Sequence, residues 1–278
     1  MNYRHAFHAG NFADLLKHAV LLALLAAMKR DKAPVQVLDT HAGAGVYDLG
    51  GEAARKSGEA QAGVVRLMAD DGAPAVFDAL KAAVRRLNPD GGIKVYPGSP
   101  VLTAQALRKG DAYLGCELRA DDQALLSEAL ARFGGGKGRA LLADGYEEAA
   151  RAVPVGVRRL ILIDPPFEAP DEYRRIVQAV GAALQRDRAA IVAIWLPLKD
   201  LDTFDRFITE LEGLEPPRTL IAEARLRPLH DPLKMNGCAM VVIGAPEDIR
   251  PQVEAATRWV AQTIGGAGAE ARLWQVGG

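Results

Sequence analysis

Leu160-Ile161-Leu162-Ile163-Asp164-Pro165-Pro166-Phe167 is the stretch that decides the fold of this chain. Four apolar, mostly β-favouring residues read as a buried parallel strand, and the Asp-Pro-Pro behind them ends it at once. Each proline fixes its own φ at about −65° and offers no N–H to a sheet. The Asp164 carboxylate and the carbonyls beside it are therefore expected to stand rigidly at the C-terminal edge of the strand, where open α/β sheets bind ligands. Phe167 sets an aromatic face next to those acceptors. A planar base carrying an exocyclic amine suits that arrangement, its ring stacked and both N–H groups accepted. A rigid strand-to-loop turn with no ligand explains the same residues equally well, so the surrounding sequence has to decide.

Outward from this point the pattern repeats. Apolar runs at 35–38, 112–115 and 140–143 close in Asp39, Cys116-Glu117 and Asp144, and a further run at 189–195 closes in Leu196-Pro197. Apolar strands ending in acidic residues, four times over, predict a parallel sheet with its polar groups gathered along one edge. Helical patterns at 121–133, 147–152 and 171–185 supply crossovers. The runs at 218–228 and 240–244 read as a final antiparallel pair joined through residues 230–237. Residues 50–97 break the alternation. Two helix-patterned stretches, 59–69 and 73–87, lie there between Gly51, Asp71-Gly72 and Asp90-Gly91-Gly92 and predict a small helical insertion. The expected organisation is an N-terminal tail and helix (1–33), a sheet domain (34–49 and 98–278) and the insertion (50–97), with 265–268 a flexible link to a short last segment.

Composition excludes several classes. With 278 residues, 49% hydrophobic and 25% charged, the chain is an ordinary globular protein with room for a large core. Cys116 and Cys238 are its only cysteines, too few for a disulfide framework or a zinc site, which points to a reduced, cytoplasmic protein and no metal. A net charge of −1 gives no global sign of nucleic-acid binding, so any such binding must use a local basic patch. The apolar run 19–28 is too short to span a bilayer and is followed by Lys29-Arg30-Asp31-Lys32. With Asn11 as cap, residues 12–30 read as one amphipathic helix, neither a targeting segment nor a membrane anchor.

After the first strand comes Asp39-Thr40-His41-Ala42-Gly43-Ala44-Gly45. Closely spaced glycines let backbone approach a nucleotide, but the third glycine of a dinucleotide fingerprint is replaced by Asp48. That disfavours a pyrophosphate cradle and suits S-adenosylmethionine, which carries no phosphate. Glu117 at the end of the next strand is placed to accept both ribose hydroxyls. Asp144-Gly145 falls where an adenine ring would lie, and Ser99 before Pro100 reads as a helix N-cap. A plain turn, a solvated strand-end charge and a simple cap are the bland readings of these residues. Their order along the chain favours an α/β, Rossmann-like class I S-adenosylmethionine-dependent methyltransferase sheet.

The N-terminus carries Tyr3-Arg4-His5, Phe7-His8-Ala9-Gly10-Asn11 and Leu16-Lys17-His18, with Asp14, Lys17 and His18 on one helix face. These motifs, Leu38 to Gly45 and Ile163 to Phe167 together resemble the bacterial 23S rRNA adenine-N6 methyltransferases of the RlmJ type over nearly the whole length. The resemblance implies S-adenosylmethionine as methyl donor, one adenine of 23S rRNA (protein-free or in early assembly) as target, and no stable protein partner. It carries cofactor contacts to His18, His41, Ser99, Glu117, Asp144, Gly145 and Asp164, and substrate-side roles to Tyr3, His5 and Lys17. Asp164 is the expected catalytic residue, with Phe167 against the base. A DNA adenine methyltransferase is the nearest alternative, although no sequence-reading domain is evident. A nicotinamide oxidoreductase lacks its third glycine, and a bare RNA-binding module has no need of Asp164.

Overall fold

The computed structural model describes residues 7–151, 153–229, 231 and 234–277. Ten strands and ten α-helices follow one another among them. The first helix, α1 (Phe12–Met28), is capped by Asn11, whose side chain accepts from the Ala13 and Asp14 N–H groups. All of α1 except Phe12 and Ala26 is buried, so it is a core helix, not the amphipathic surface helix that its Lys and His suggest. It ends two residues before Arg30.

Strands β1 (Val35–Asp39), β4 (Ala112–Glu117), β5 (Gly138–Leu142), β6 (Arg158–Ile163) and β7 (Ile191–Leu198) are parallel neighbours in the order β5-β4-β1-β6-β7. The antiparallel strands β8 (Thr219–Arg225) and β9 (Gly237–Ile243) extend this sheet in the order β7-β9-β8, and β10 (Glu270–Val276) pairs outside β8. Eight strands result, where the sequence pattern identifies seven. The charges Glu270 and Arg272 obscure β10 in the sequence, and they are what an exposed edge strand tolerates. Along β6, Leu160 and Leu162 enter the core on one face while Ile161 and Ile163 enter the core on the other. The first core is shared with α1, α4 (Asp78–Leu87), α5 (Ser99–Ala106), α6 (Ala120–Phe133) and α10 (Arg250–Trp259). The second is shared with α7 (Gly145–Ala149), α8 (Glu172–Arg186) and α9 (Leu201–Glu212). Continuous apolar strands are thus explained by cover on both sides. Neither α9 nor α10 is anticipated by the sequence reading.

Two short strands, β2 (Val46–Asp48) and β3 (Val95–Pro97), pair antiparallel and bracket the helical stretch. Between them lie α2 (Glu52–Ser57), a helix that widens into a π turn at Gln61–Val65 before α3 (Arg66–Ala69), and α4. One expectation is corrected here. Ser99 is not the cap of α5: that position is Gly98, and the Ser99 hydroxyl instead donates to Asp39 Oδ2 at 2.7 Å. A fully buried carboxylate carries a larger desolvation penalty than a neutral N–H at the helix end, so the donor goes to Asp39.

Candidate active site

The chain leaves β1 to build β4 and β5 on one side, then returns to add β6 on the other. Between β1 and β6 the connections therefore diverge, and at this switch point α/β sheets place their ligands. A cavity of about 660 Å3 opens there, within the range of small-molecule sites. It is lined by the start of α1, the loop after β1, the ends of β4, β6 and β7, and Glu59 from the helical stretch.

At the centre is an ion triad. Lys17 Nζ lies 2.8 Å from Asp14 Oδ1 and 2.5 Å from Asp164 Oδ2. Burial alone would depress the Lys17 pKa, but the two carboxylates outweigh it and hold the ammonium well above its ordinary value. Asp14 also accepts the Gly10 N–H at 2.9 Å. One turn on, His18 is buried, its Nδ1 2.8 Å from the Tyr96 hydroxyl and its ring stacked on Tyr96 with centroids 5.6 Å apart. Beyond Asp164, Pro165 and Pro166, Phe167 adopts φ +51°, a left-handed conformation unusual for an aromatic residue. That turn sets its ring against Tyr173 and Trp195, at centroid distances of 5.1 and 5.8 Å. Phe167 and Trp195 both face the cavity.

The other end belongs to the loop after β1. Gly43 and Gly45 have φ of +63° and +80°, and the chain then enters β2 instead of a helix. No helix N-terminus follows the loop, so it lacks the anion site of a dinucleotide cradle. Asp48, Glu117, Asp121 and Asp122 line this end, with Arg119 held by the last two. Such a wall repels a pyrophosphate and suits a sulfonium and a ribose diol. Glu117 accepts the N–H groups of Gly43, Leu118 and Arg119, and burial raises its pKa in spite of them. Burial also drives the His41 pKa down to about 4, so the ring is neutral, with Thr40 Oγ1 2.8 Å from its Nδ1. Below the loop, Asp39 is fully buried and pushed up to about 6, although the Ser99 and Tyr113 hydroxyls donate to it.

The structure thus brings together His18, His41, Ser99, Glu117, Gly145, Asp164, Lys17 and Phe167 around one cavity. Asp144 is not among the lining residues; it caps α7 through the Tyr146 N–H and pairs with Arg175 at 2.7 Å. Gly145 is needed for packing, because a Cβ there would stand 2.1 Å from the Thr40 carbonyl oxygen. Tyr3 and His5 lie outside the described residues. Glu59 lines the cavity, and Asp39 and Tyr96 hold its lining residues Ser99 and His18, without having been singled out for it. Only Asp39 had a signal, as one of the acidic strand ends. Among the described residues no cluster of His, Cys, Asp and Glu has the arrangement of a metal site, and no helix is long and apolar enough to cross a membrane.

Comparison with known proteins agrees with this architecture. Residues 32–276 match the family described as "Ribosomal RNA large subunit methyltransferase D, RlmJ". Two curated relatives are both named "Ribosomal RNA large subunit methyltransferase J". The one from Escherichia coli K12 is 35% identical over 96% of this chain and 95% of its own length; the one from Haemophilus influenzae Rd is 32% identical over 95% and 94%. A solved protein of Legionella pneumophila superposes with a TM-score of 0.87 at 26% identity, covering 96% of this chain and 98% of that one. With an acid-walled cleft at the switch point of its sheet and matches that run nearly end to end, the chain belongs to the RlmJ family of large-subunit ribosomal RNA methyltransferases.

Proposed function

We propose that this protein methylates the N6 amino group of one adenine in 23S ribosomal RNA, with Asp164 as the catalytic residue. The observation that carries the reading is Asp164 itself: a strand-end carboxylate, part-exposed in the cavity, charge-paired to a buried lysine and followed by a proline pair and a turned aromatic ring. S-adenosylmethionine, when bound, supplies a methyl group activated on a sulfonium. Glu117 would hold its ribose, with His18, His41, Ser99 and Gly145 lining its site; Asp144 would act by fixing the start of α7.

The N6 nitrogen is a poor nucleophile because its lone pair is delocalised into the ring. A carboxylate has about four acceptor positions. Lys17 engages one oxygen of Asp164 and leaves capacity for an N6–H, and the Pro165 carbonyl accepts the second. Both bonds draw the nitrogen toward pyramidal geometry and free the lone pair for attack. Positioning supplies much of the acceleration. As the C–N bond forms, the methyl–sulfur bond breaks and its electron pair stays on sulfur as a neutral thioether; the cationic amine that results would shed one proton toward Asp164. Phe167 offers a stacking face to an unstacked base, and Tyr3 and His5 serve the substrate side. In this reading residues 1–33 form a tail and helix, 34–49 and 98–278 the catalytic sheet, and 50–97 an insertion. The RNA is met protein-free or early in assembly, in the cytoplasm.

The test is transfer from labelled S-adenosylmethionine to a 23S rRNA fragment, followed by nucleoside digestion and mass spectrometry. N6-methyladenosine at one position is expected. Label on another atom, or on duplex DNA in preference to RNA, would overturn the assignment.

A further inference from the structure

Among the described residues of the helical stretch 50–94, Glu59 lines the catalytic cavity, and the methyl-transfer chemistry gives it no task. Its carboxylate oxygens lie 2.9 and 3.0 Å from His8 Nδ1, and one of them accepts from Asn11 Nδ2 at 2.9 Å. Burial opposes the charge on Glu59, yet these two bonds outweigh it and hold the carboxyl below its usual range, while the same contact raises His8. The next turn of the helix makes a second junction with the same segment. Within the π turn, Val64 N–H donates to the Gly10 carbonyl at 2.8 Å. Gly63 lies so close that a Cβ would stand 2.1 Å from that carbonyl oxygen. Gly10, at φ +76°, would in turn set a Cβ 2.8 Å from Val64 Cγ1. A π turn inside an α-helix is a costly irregularity that recurs at functional sites. Here it lets two backbones cross where side chains would hold them apart.

From this crossing an unbroken chain of contacts leads to the reacting centre. Asn11 uses Nδ2 on Glu59 and Oδ1 on the Asp14 N–H, at 3.0 Å. Asp14 receives the Gly10 N–H and binds Lys17, and Lys17 binds Asp164. We propose that Glu59 is a positioning residue for methyl transfer: by fixing the His8–Asn11 turn to the helical insertion it sets α1, and hence Lys17, against Asp164. This deepens the reading of the cleft as the methyl-transfer site and rests on it. It also gives the insertion a task at the site itself.

The test uses the full chain with Glu59→Ala, Glu59→Gln, His8→Ala and the Glu59→Ala/His8→Ala double variant. Glu59→Ala should lower kcat on a 23S rRNA fragment about tenfold, since small misplacements of a catalytic group are costly. The KM for RNA and the Kd for S-adenosylmethionine by calorimetry should stay within about threefold, because His41 and Glu117 after β1 and on β4 are untouched and His18 keeps its separate hold on Tyr96. Glutamine can accept from Asn11 and donate to neutral His8, so Glu59→Gln should restore kcat to within about threefold of wild type. If Glu59 acts through His8, the double variant should be no slower than Glu59→Ala alone. Backbone hydrogen exchange over residues 9–16, measured without substrate, should quicken in Glu59→Ala. Unchanged kcat, multiplying losses in the double variant, or unchanged exchange would each overturn the proposal. Wild-type enzyme that methylates no adenine would instead refute the proposed reaction, and the exchange measurement would still decide whether Glu59 holds the turn.

Discussion

Replacing Lys17 by methionine removes the ammonium held between Asp14 and Asp164. The Lys17 side chain is 5% exposed, that of Asp14 2% and that of Asp164 17%. Deleting one partner of a buried ion pair costs about 3–5 kcal/mol, because the remaining charge keeps its desolvation penalty. Asp14 retains the Gly10 N–H and Asp164 retains its opening to the cavity, so the lower part of that range, about 3 kcal/mol, is expected. For a chain of 278 residues that lowers the melting temperature by roughly 5 °C. The sign of the pH dependence follows from the raised Lys17 pKa. Its contribution is complete below the unfolded value of 10.5 and is lost as pH climbs through the higher folded value, so the variant should lose less stability than wild type in alkali. Urea unfolding followed by circular dichroism at pH 7 and pH 11 measures both. Asp14, nearly sealed, should matter more for stability than Asp164: Asp14→Asn should destabilise more than Asp164→Asn. A loss under about 1 kcal/mol for Lys17→Met, or the reverse order for the two aspartates, would refute the reasoning.

Asp164→Asn should abolish turnover while the protein stays folded, with a smaller loss of stability than Asp14→Asn, because the amide presents donors where the amine needs an acceptor; near wild-type methyl transfer would sink the role. Glu117→Ala should weaken S-adenosylmethionine binding by roughly ten- to a hundredfold, the equivalent of about 1.5–3 kcal/mol, and an unchanged Kd by calorimetry would count against the ribose contact. Burial raises Asp39 to about 6, so its contribution to stability is present below 3.8 and is lost as pH rises through 6. Asp39→Asn should therefore gain on wild type between pH 5 and pH 8 in urea midpoints, and a difference independent of pH would refute it. Deleting residues 1–6 should leave the fold intact while turnover on RNA falls sharply; equal rates for full-length and truncated enzyme would remove Tyr3 and His5 from the mechanism.

Strands β1, β4 and β6 were legible because they are largely buried and closed by acidic residues; β7 was legible from its apolar run alone, and the half-exposed edge strand β5 from its short run before Asp144. The same logic missed β10, whose edge position admits Glu270 and Arg272, and β2 and β3, which are too short for a period. Lys17 and His18 were readable as a helix face, yet their burial was not, since that depends on the cavity they share with Asp164. Ser99 was misassigned because Ser-Pro is a strong local cap signal, and a tertiary partner, Asp39, competes for its hydroxyl. Glu59 had no signal at all. Its importance arises from a crossing with residues 48 and 51 positions away, which no local pattern reports.

The nesting of β1 between β4 and β6 bears on how the chain comes off the ribosome. The two neighbours of β1 are made long after it, and α1 packs against β9 at residues 237–243. Contacts this distant in sequence must bear their loop-closure entropy before they stabilise anything, which favours late assembly. Throughout that interval α1, buried along almost its whole length in the finished fold, can lean on α4 and α5 but not on β9 or α10, and its apolar residues stay open to misassociation during synthesis. A polypeptide halted just short of Gly237 would possess every cavity-lining residue from His8 to Met235 and still lack the strand that backs α1.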